Sequence, residues 1–384
     1  MRILHTSDWH IGRSFHGHST LDALGSVLSV LAAQVREHEV DVVLVAGDVF
    51  DSAAPSAACY PVLTRTLRAL SDAGAQVVVT SGNHDSAARL GFQAELLREG
   101  IHVVTDPLTV GTPITIDDRF GPVHFYGIPF LEPALVRHLW PDAALRTQAD
   151  TIAHAMSLVR ADLAERGGRS VVMAHCFAAG VDATPGVERE IRQGTLDVVP
   201  LSAFEGPDYV ALGHIHGRQQ LSPRVRYAGA PLHYSFGEGD KPRGSWLIET
   251  DAAGCVSAEW LDLPVPRALV TLTAPFDELL ADPRFASAEA AWVCARYTDA
   301  TPQLEPMRRL QARFPHCAAV VHAPSVERAD DAATYAQRVH ASRSHAELMD
   351  AFLVHVRNGE GATKSETALI HEIVAERAAA EALA

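Results

Sequence analysis

The sequence predicts an α/β fold in which strands alternate with helices around layered sheets. Three observations carry that expectation. Five short runs rich in Val, Ile and Leu read as buried strands: residues 1–7, 40–46, 76–81, 170–174 and 208–212. Amphipathic patterns over residues 21–38, 58–73 and 149–166 read as helices. Such alternation implies a layered core. Finally, each of the five strands runs directly into residues that can hold a metal ion.

Taken in order, the first strand leads into Asp8-Trp9-His10 and the second into Gly47-Asp48. The third leads into Gly82-Asn83-His84-Asp85. The fourth ends at His175, and the fifth enters Gly213-His214-Ile215-His216. In layered α/β folds, ligands collect at the carboxyl ends of strands. Asp8, His10, Asp48, Asn83, His175, His214 and His216 are therefore expected at one edge of one core. That set suits a centre of two ions held roughly 3.5–4 Å apart. Such a centre needs a carboxylate able to bridge, and Asp48, after a long buried strand, is placed for it. Asp8 and His10 lie two apart on what reads as an extended segment, so both can face one ion, and His214 and His216 repeat that spacing. Mixed N and O donors favour manganese, iron or zinc over magnesium or calcium.

The remaining elements are expected as follows. Residues 123–128 and 225–227, with the pair 246–249 and 258–263 turning at 251–254, read as a second sheet. Pro264-Val265-Pro266 reads as a linker. Strands follow at 268–273, 292–297 and 317–322, with helical stretches near 276–281 and 304–314. A charged stretch, 327–344, reads as helical or loose. Two apolar stripes then flank Asn358-Gly359: Met349, Phe352, Leu353 and Val356, then Leu369, Ile370, Ile373 and Val374. The expected division is a catalytic domain over 1–264, a small α/β unit over 265–325, and a linker with C-terminal helices over 326–384.

Composition narrows the class. The 384 residues are 47% apolar, so a large core is expected. No apolar run approaches the roughly 18 residues of a membrane span, and the N-terminus shows no secretory leader. The five cysteines are odd in number and lack CxxC spacing, which speaks for reduced cytoplasmic thiols. A net charge of −15 argues against a chain coated in cations for nucleic acid, though not against a local basic groove.

The motifs DxH, GDxFD, GNHD, a later lone His and GHxH resemble those of the calcineurin-like metallophosphoesterases. MRILHTSDWHIGRSF, VAGDVFDSAAPS, SGNHDS, REIRQGTLDVVP, DYVALGHIHGRQ and VRYAGAPLHYSFGE resemble one branch, the SbcD-type nuclease subunits related to the Mre-type repair nucleases. The resemblance covers essentially the whole chain. It implies a four-layer α/β sandwich with a small capping domain and C-terminal helices. It implies two ions, normally Mn2+, with Mg2+, Fe2+ or Zn2+ as options. Asp8, His10, Asp48 and His216 would hold one; Asp48, Asn83, His175 and His214 would hold the other. His84 would sit over the scissile phosphate and stabilise or protonate the leaving oxygen, with Asp85 orienting it. The implied activity is 3′-to-5′ exonuclease and hairpin or single-strand endonuclease action on double-stranded DNA, in repair, recombination and replication. The implied partner is an SbcC-type coiled-coil ATPase, with the chain a homodimer inside a heterotetramer.

Other readings compete. A small-molecule phosphodiesterase or protein phosphatase keeps the fold, but Ser52-Ala53 stands where phosphatases carry Arg-Gly after GDxxD. A non-catalytic DNA-end scaffold would leave costly buried ligands without purpose. His16 and His18 read as a solvated loop, His5 as a core histidine, and Cys176 as a small buried hydrophobe. Asp51 is either part of the site or a turn cap. Arg13, Arg89, Arg189, Arg192, Arg218, Arg224 and Arg226 lie near motif loops and could meet phosphate.

Overall fold

The computed structural model describes residues 1–92, 94–179, 198–324, 335–357, 359 and 361–381. Arg189, Arg192, Asn358 and the 327–334 part of the charged stretch lie outside them. The chain divides into two compact units, Met1–Pro266 and Arg267–Ala384.

The first unit contains β1 (Arg2–Thr6), β2 (Ser14–Phe15), β3 (His18–Ser19), β4 (Val42–Ala46), β5 (Gln76–Thr80), β6 (Ile101–Val104) and β7 (Ile114–Asp118). It continues with β8 (Gly121–Gly127), β9 (Arg169–His175), β10 (Tyr209–Gly213), β11 (Gln219–Gln220), β12 (Val225–Tyr227), β13 (Gly244–Asp251) and β14 (Gly254–Asp262). One sheet has the order β14-β13-β1-β4-β5-β6 and the other β11-β12-β10-β9-β8-β7. The central strands β4 and β10 are buried at every residue. That is what a parallel strand covered on both faces requires, and it explains their unbroken apolar sequences.

Three cores make four layers. Ile3, Val42, Leu44 and Val78 of the first sheet interlock with Phe125, Val171, Met173 and Ala211 of the second. On the outer face of the first sheet, Leu4, Val43, Val45 and Val77 meet Leu24, Leu28 and Leu31 of helix Leu21–Glu37. Val62, Leu67 and Leu70 of helix Cys59–Asp72 join them. On the outer face of the second sheet, Val172, Val210 and Leu212 meet Ile152, Met156 and Val159 of helix Gln148–Arg166. That helix starts with a capping box in which Thr147 and Asp150 satisfy each other's backbone N–H groups. The unit is therefore a four-layer α/β sandwich.

Two sequence expectations need correction. The hairpin β13–β14 joins the first sheet, with β13 antiparallel to β1 through Leu4↔Leu247. Its alternating side chains can serve the two cores at once: Trp246 and Ile248 face the inter-sheet core, Leu247 and Leu261 the outer one. Conversely, β9 and β10, which carry His175 and His214, belong to the second sheet with β8 and β12. The ligand strands thus come from two stacked sheets rather than one. Their carboxyl ends still coincide, because the parallel strands of both sheets point the same way toward the site.

In the second unit, β15 (Leu269–Ala274), β16 (Trp292–Tyr297) and β17 (Cys317–His322) form a parallel sheet in that order. Helices Phe276–Ala281 and Pro306–Gln311 cover one face, packing Phe276, Leu279 and Leu310 on Leu272, Val293 and Ala295. Helices Tyr335–Ala341, His345–Val356 and Lys364–Glu381 follow. Ser344 caps the second of these, and Arg357 pairs with Glu366 between the last two at 2.7 Å. Among the described residues, no helix is long and apolar enough to cross a membrane.

Candidate metal centre

The loops after β1 and β4 run side by side. Asp8 N–H donates to the Gly47 carbonyl (3.1 Å) and His10 N–H to the Asp48 carbonyl (2.9 Å). Asp8, His10, Asp48 and His214 have φ of +53°, +46°, +49° and +108°. The expected extended conformation of the Asp8–His10 segment is therefore wrong. Each of these residues sits in the left-handed region, which costs a non-glycine residue roughly 1–2 kcal/mol. Strain of this kind persists where surrounding structure holds it, and it concentrates at functional sites. Gly47, at φ +80°, lets the chain turn against His175; a Cβ there would lie 2.2 Å from His175 Nδ1.

The side chains converge in a largely buried pocket. Asp8, His10 and His175 are fully buried, and Asp48 and His216 nearly so. His10 Nε2 and His216 Nε2 face each other at 3.0 Å, although the two residues are 206 positions apart. Asn83 Oδ1 lies 3.0 Å from both His175 Nε2 and His214 Nδ1. Asp48 stands between these groups. Its Oδ1 accepts from His84 N–H (2.8 Å), while Oδ2 lies 3.5 Å from His10 Nε2 and 3.4 Å from His175 Nε2. Ligand atoms of Asp8, His10 and His216 lie within 4.8 Å of one another, as do those of Asp8, Asp48 and His175. All seven ligand-type residues singled out in the sequence thus meet in one place.

The electrostatics suit a cation. Burial, aided by the Asp48 charge and opposed by His175, raises the Asp8 carboxyl to about 7. Burial lowers His214 to about 3, with His175 adding repulsion. It also depresses His10 and His216, so these rings are neutral and can offer lone pairs. Asp48 is buried too, yet attraction to His175 holds it well below the usual carboxylate range. The neutral rings of His10 and His216, whose nitrogens face one another, fit a metal ion better than a hydrogen bond. The donor set therefore fits a two-ion centre.

His84 lies at the rim, its ring 4.7 Å from that of His10. Its Nδ1 donates to the Asp51 carbonyl oxygen (2.9 Å), leaving Nε2 for a ligand or substrate. The expected role of Asp85 is not what the structure has. Its oxygens accept the backbone N–H groups of Gly82 (2.9 Å), Phe50 (2.8 Å) and Val49 (3.0 Å). Asp85 ties the GNHD loop to the GDVFD loop; orientation of His84 passes to Asp51. A carboxylate with three amide donors in reach takes them before the ring of the neighbouring residue.

Sequence reasoning left Asp51 open and missed Glu238, Arg243 and Tyr234. Asp51 Oδ1 lies 3.2 Å from His10 Nδ1 and 3.3 Å from Arg13 Nη1. Tyr234 donates to the Trp9 carbonyl (2.6 Å) and stands edge-on to the rings of His10 and His216. Glu238 and Arg243 pair at 3.0 Å behind His216, both buried. A Glu at the end of the block APLHYSFGE and the Arg of the following GDKPR were the available signal. Of the other candidates, Arg89 donates to the Ala53 carbonyl and Arg218 stacks over Trp260 at 4.8 Å. Arg226 is buried and Arg224 exposed. His5 is a satisfied core histidine, bonded to Tyr209 Oη (2.9 Å) and the Leu212 carbonyl (3.1 Å). His16 lies on an exposed hairpin. Cys176 is fully buried, and burial pushes its thiol up to about 12.

Residues 265–357 match the family model described as the type 5 capsule protein repressor C-terminal domain (SbcD_C). Among solved structures, the chain is similar to the TT1561 protein of Thermus thermophilus, at 15% identity over 68% of this chain and 98% of that one, with a TM-score of 0.40. It is also similar to a dimetal phosphatase from Danio rerio, at 12% identity over 69% and 99%, with a TM-score of 0.42. Residues 1–218, more than half of the 384, match the model of the calcineurin-like phosphoesterases. These residues hold every ligand-type side chain of the buried centre, and the chain belongs to that phosphoesterase family.

Proposed function

We propose that this chain is the nuclease subunit of an SbcCD-type complex, hydrolysing phosphodiester bonds of double-stranded DNA with two Mn2+ ions. The observation that carries the choice of branch is the SbcD_C match over residues 265–357, alongside the phosphoesterase match over 1–218. Membership of the family by itself supports only a metal-dependent phosphoester hydrolase.

In this reading Asp8, His10, Asp48 and His216 would hold one ion, and Asp48, Asn83, His175 and His214 the other. Ions bound there would activate water and neutralise the phosphate. The protein's own contribution is positional. Asp48 is fixed by the His84 amide, and the left-handed turns at Asp8, His10 and His214 aim their side chains inward. Burial keeps His10, His214 and His216 neutral and able to ligate. At His175 burial is outweighed by the Asp48 charge, which raises the ring to about 9, so it carries a proton that an ion would displace. His84 presents Nε2 to the leaving oxygen, held by its bond to the Asp51 carbonyl. The unit after Pro266 would serve to guide DNA, and the exposed Met349, Phe352, Val356, Leu369 and Ile373 would dock a coiled-coil ATPase.

Incubating purified protein with an end-labelled duplex, with Mn2+ or EDTA, tests this. Mn2+-dependent shortening from 3′ ends is expected, with opening of hairpin ends once the ATPase is added. Turnover of bis-para-nitrophenyl phosphate without DNA cleavage, with and without the ATPase, would assign the chain to a small-molecule branch.

A further inference from the structure

A histidine that holds a metal gives one ring nitrogen to the ion and the other to an outer partner. A carboxylate partner strengthens the ligand and fixes the ring more than a neutral one does. Here the outer partners differ along the centre. His10 turns Nε2 inward and has Asp51 Oδ1 3.2 Å from Nδ1. His216 also turns Nε2 inward and has Glu238 Oε1 3.9 Å from Nδ1. The other Glu238 oxygen lies 3.0 Å from Arg243 Nη2. Arg243 Nη1 in turn donates to the His216 carbonyl (2.6 Å) and the Ala230 carbonyl (3.2 Å). Glu238 thus faces the His216 ring directly and restrains its backbone through Arg243. At the opposite end, His175 Nδ1 donates to a neutral acceptor, the Ala46 carbonyl, at 3.0 Å.

We propose that Asp51 and Glu238 are positioning residues that make the Asp8–His10–His216 position the tighter of two unequal metal positions. That position fills first, and catalysis follows occupancy of the weaker Asn83–His175–His214 position. The inference rests on the two-ion reading given above. It is independent of the substrate, because the outer partners act on the ligands and not on the phosphate. It also explains why a buried Glu–Arg pair is placed here. Such a pair contributes little to stability relative to an apolar replacement, but losing one member leaves a buried charge.

The test is a titration of the full-length, metal-free chain with Mn2+ alone, without DNA, by calorimetry, with electron paramagnetic resonance reporting paired ions. Two binding events of unequal affinity are expected. Asp51→Asn and Glu238→Gln should weaken the tighter event roughly 10–100-fold and leave the weaker one in place. Asn83→Ala should weaken only the second. Urea unfolding of the metal-free variants separates affinity from folding. If Glu238→Gln fails to fold, Asp51→Asn, at a partly exposed residue, decides alone. Two equal events, or an Asp51→Asn shift in both events or only in the weaker one, would overturn the proposal while leaving the two-ion centre intact. No Mn2+ binding by the unmodified chain would instead remove the centre itself, and the proposal with it.

Discussion

Gly82→Ala is the sharpest steric test of the centre. A Cβ at Gly82 would lie 2.2 Å from Asp48 Oδ1, 2.3 Å from Asp48 N and 2.8 Å from Asp48 Cγ. Non-bonded heavy atoms need about 3.5 Å, so something must move by about 1 Å. The backbone nitrogen cannot yield as a flexible side chain would. The movement must therefore be shared between the GNHD loop and Asp48, the residue between the two ligand groups. Overpacking of this kind costs about 1–3 kcal/mol of stability. Displacing a reacting geometry by about 1 Å costs on the order of 100-fold in rate. Gly74→Ala is the control: its φ is +103° but nothing lies within 4 Å of the added Cβ. It should lose roughly 1–2 kcal/mol from backbone strain alone and keep full activity per folded molecule. The assay is Mn2+-dependent hydrolysis of bis-para-nitrophenyl phosphate, beside urea unfolding and Mn2+ titration. Gly82→Ala with unmodified kcat and Mn2+ affinity would refute the role given to Asp48. Equal activity loss in both variants would show that the effect is not local.

Other predictions follow from the same geometry. His84→Ala should lower cleavage roughly 100–10,000-fold while Mn2+ binding persists; unchanged cleavage would exclude it as the group acting on the leaving oxygen. EDTA should abolish hydrolysis and added Mn2+ restore it, read by the same chromogenic ester. Burial holds His5 at about 3 in the folded chain against 6.5 in the unfolded one, with the Leu212 carbonyl opposing the shift and Arg226 assisting it. Only the unfolded chain binds this proton between those values, so His5 contributes full stability above pH 6.5 and loses it as pH falls toward 3. Its share is up to roughly 1.4 kcal/mol per pH unit, and urea unfolding of His5→Gln between about pH 4 and 7 should show a slope smaller by that amount. Asp118 accepts two bonds from Arg169, at 2.6 and 2.9 Å, and lies 3.1 Å from the Met1 ammonium. Asp118→Asn should cost roughly 1–3 kcal/mol at about pH 7, read as a fall in the urea midpoint.

Much of this protein is legible in the sequence, for a definite reason. Parallel strands buried on both faces must be continuous apolar runs, so β4, β5, β9 and β10 announce themselves. The chemistry sits at their carboxyl ends, so Asp8, Asp48, Asn83, His175 and His214 can be picked out by adjacency alone. Helix Gln148–Arg166 is visible through its apolar face, and the turn before β14 through its Gly. What adjacency cannot give is the pairing of distant segments. The meeting of His10 with His216 across 206 residues depends on how two sheets stack. The placement of β13–β14 beside β1 depends on which sheet edge was open. The left-handed backbone at Asp8, His10 and Asp48 is local in position but is imposed by neighbours, since isolated residues of these types would avoid it. The same holds for the outer partners. Asp85 is close to His84 in sequence, yet three amide donors claim it. Asp51, Glu238 and Arg243 gain their roles only because folding removes water around the ligands and leaves each buried polar group to find a partner. Sequence determined which residues could do the chemistry; packing decided which of them face one another.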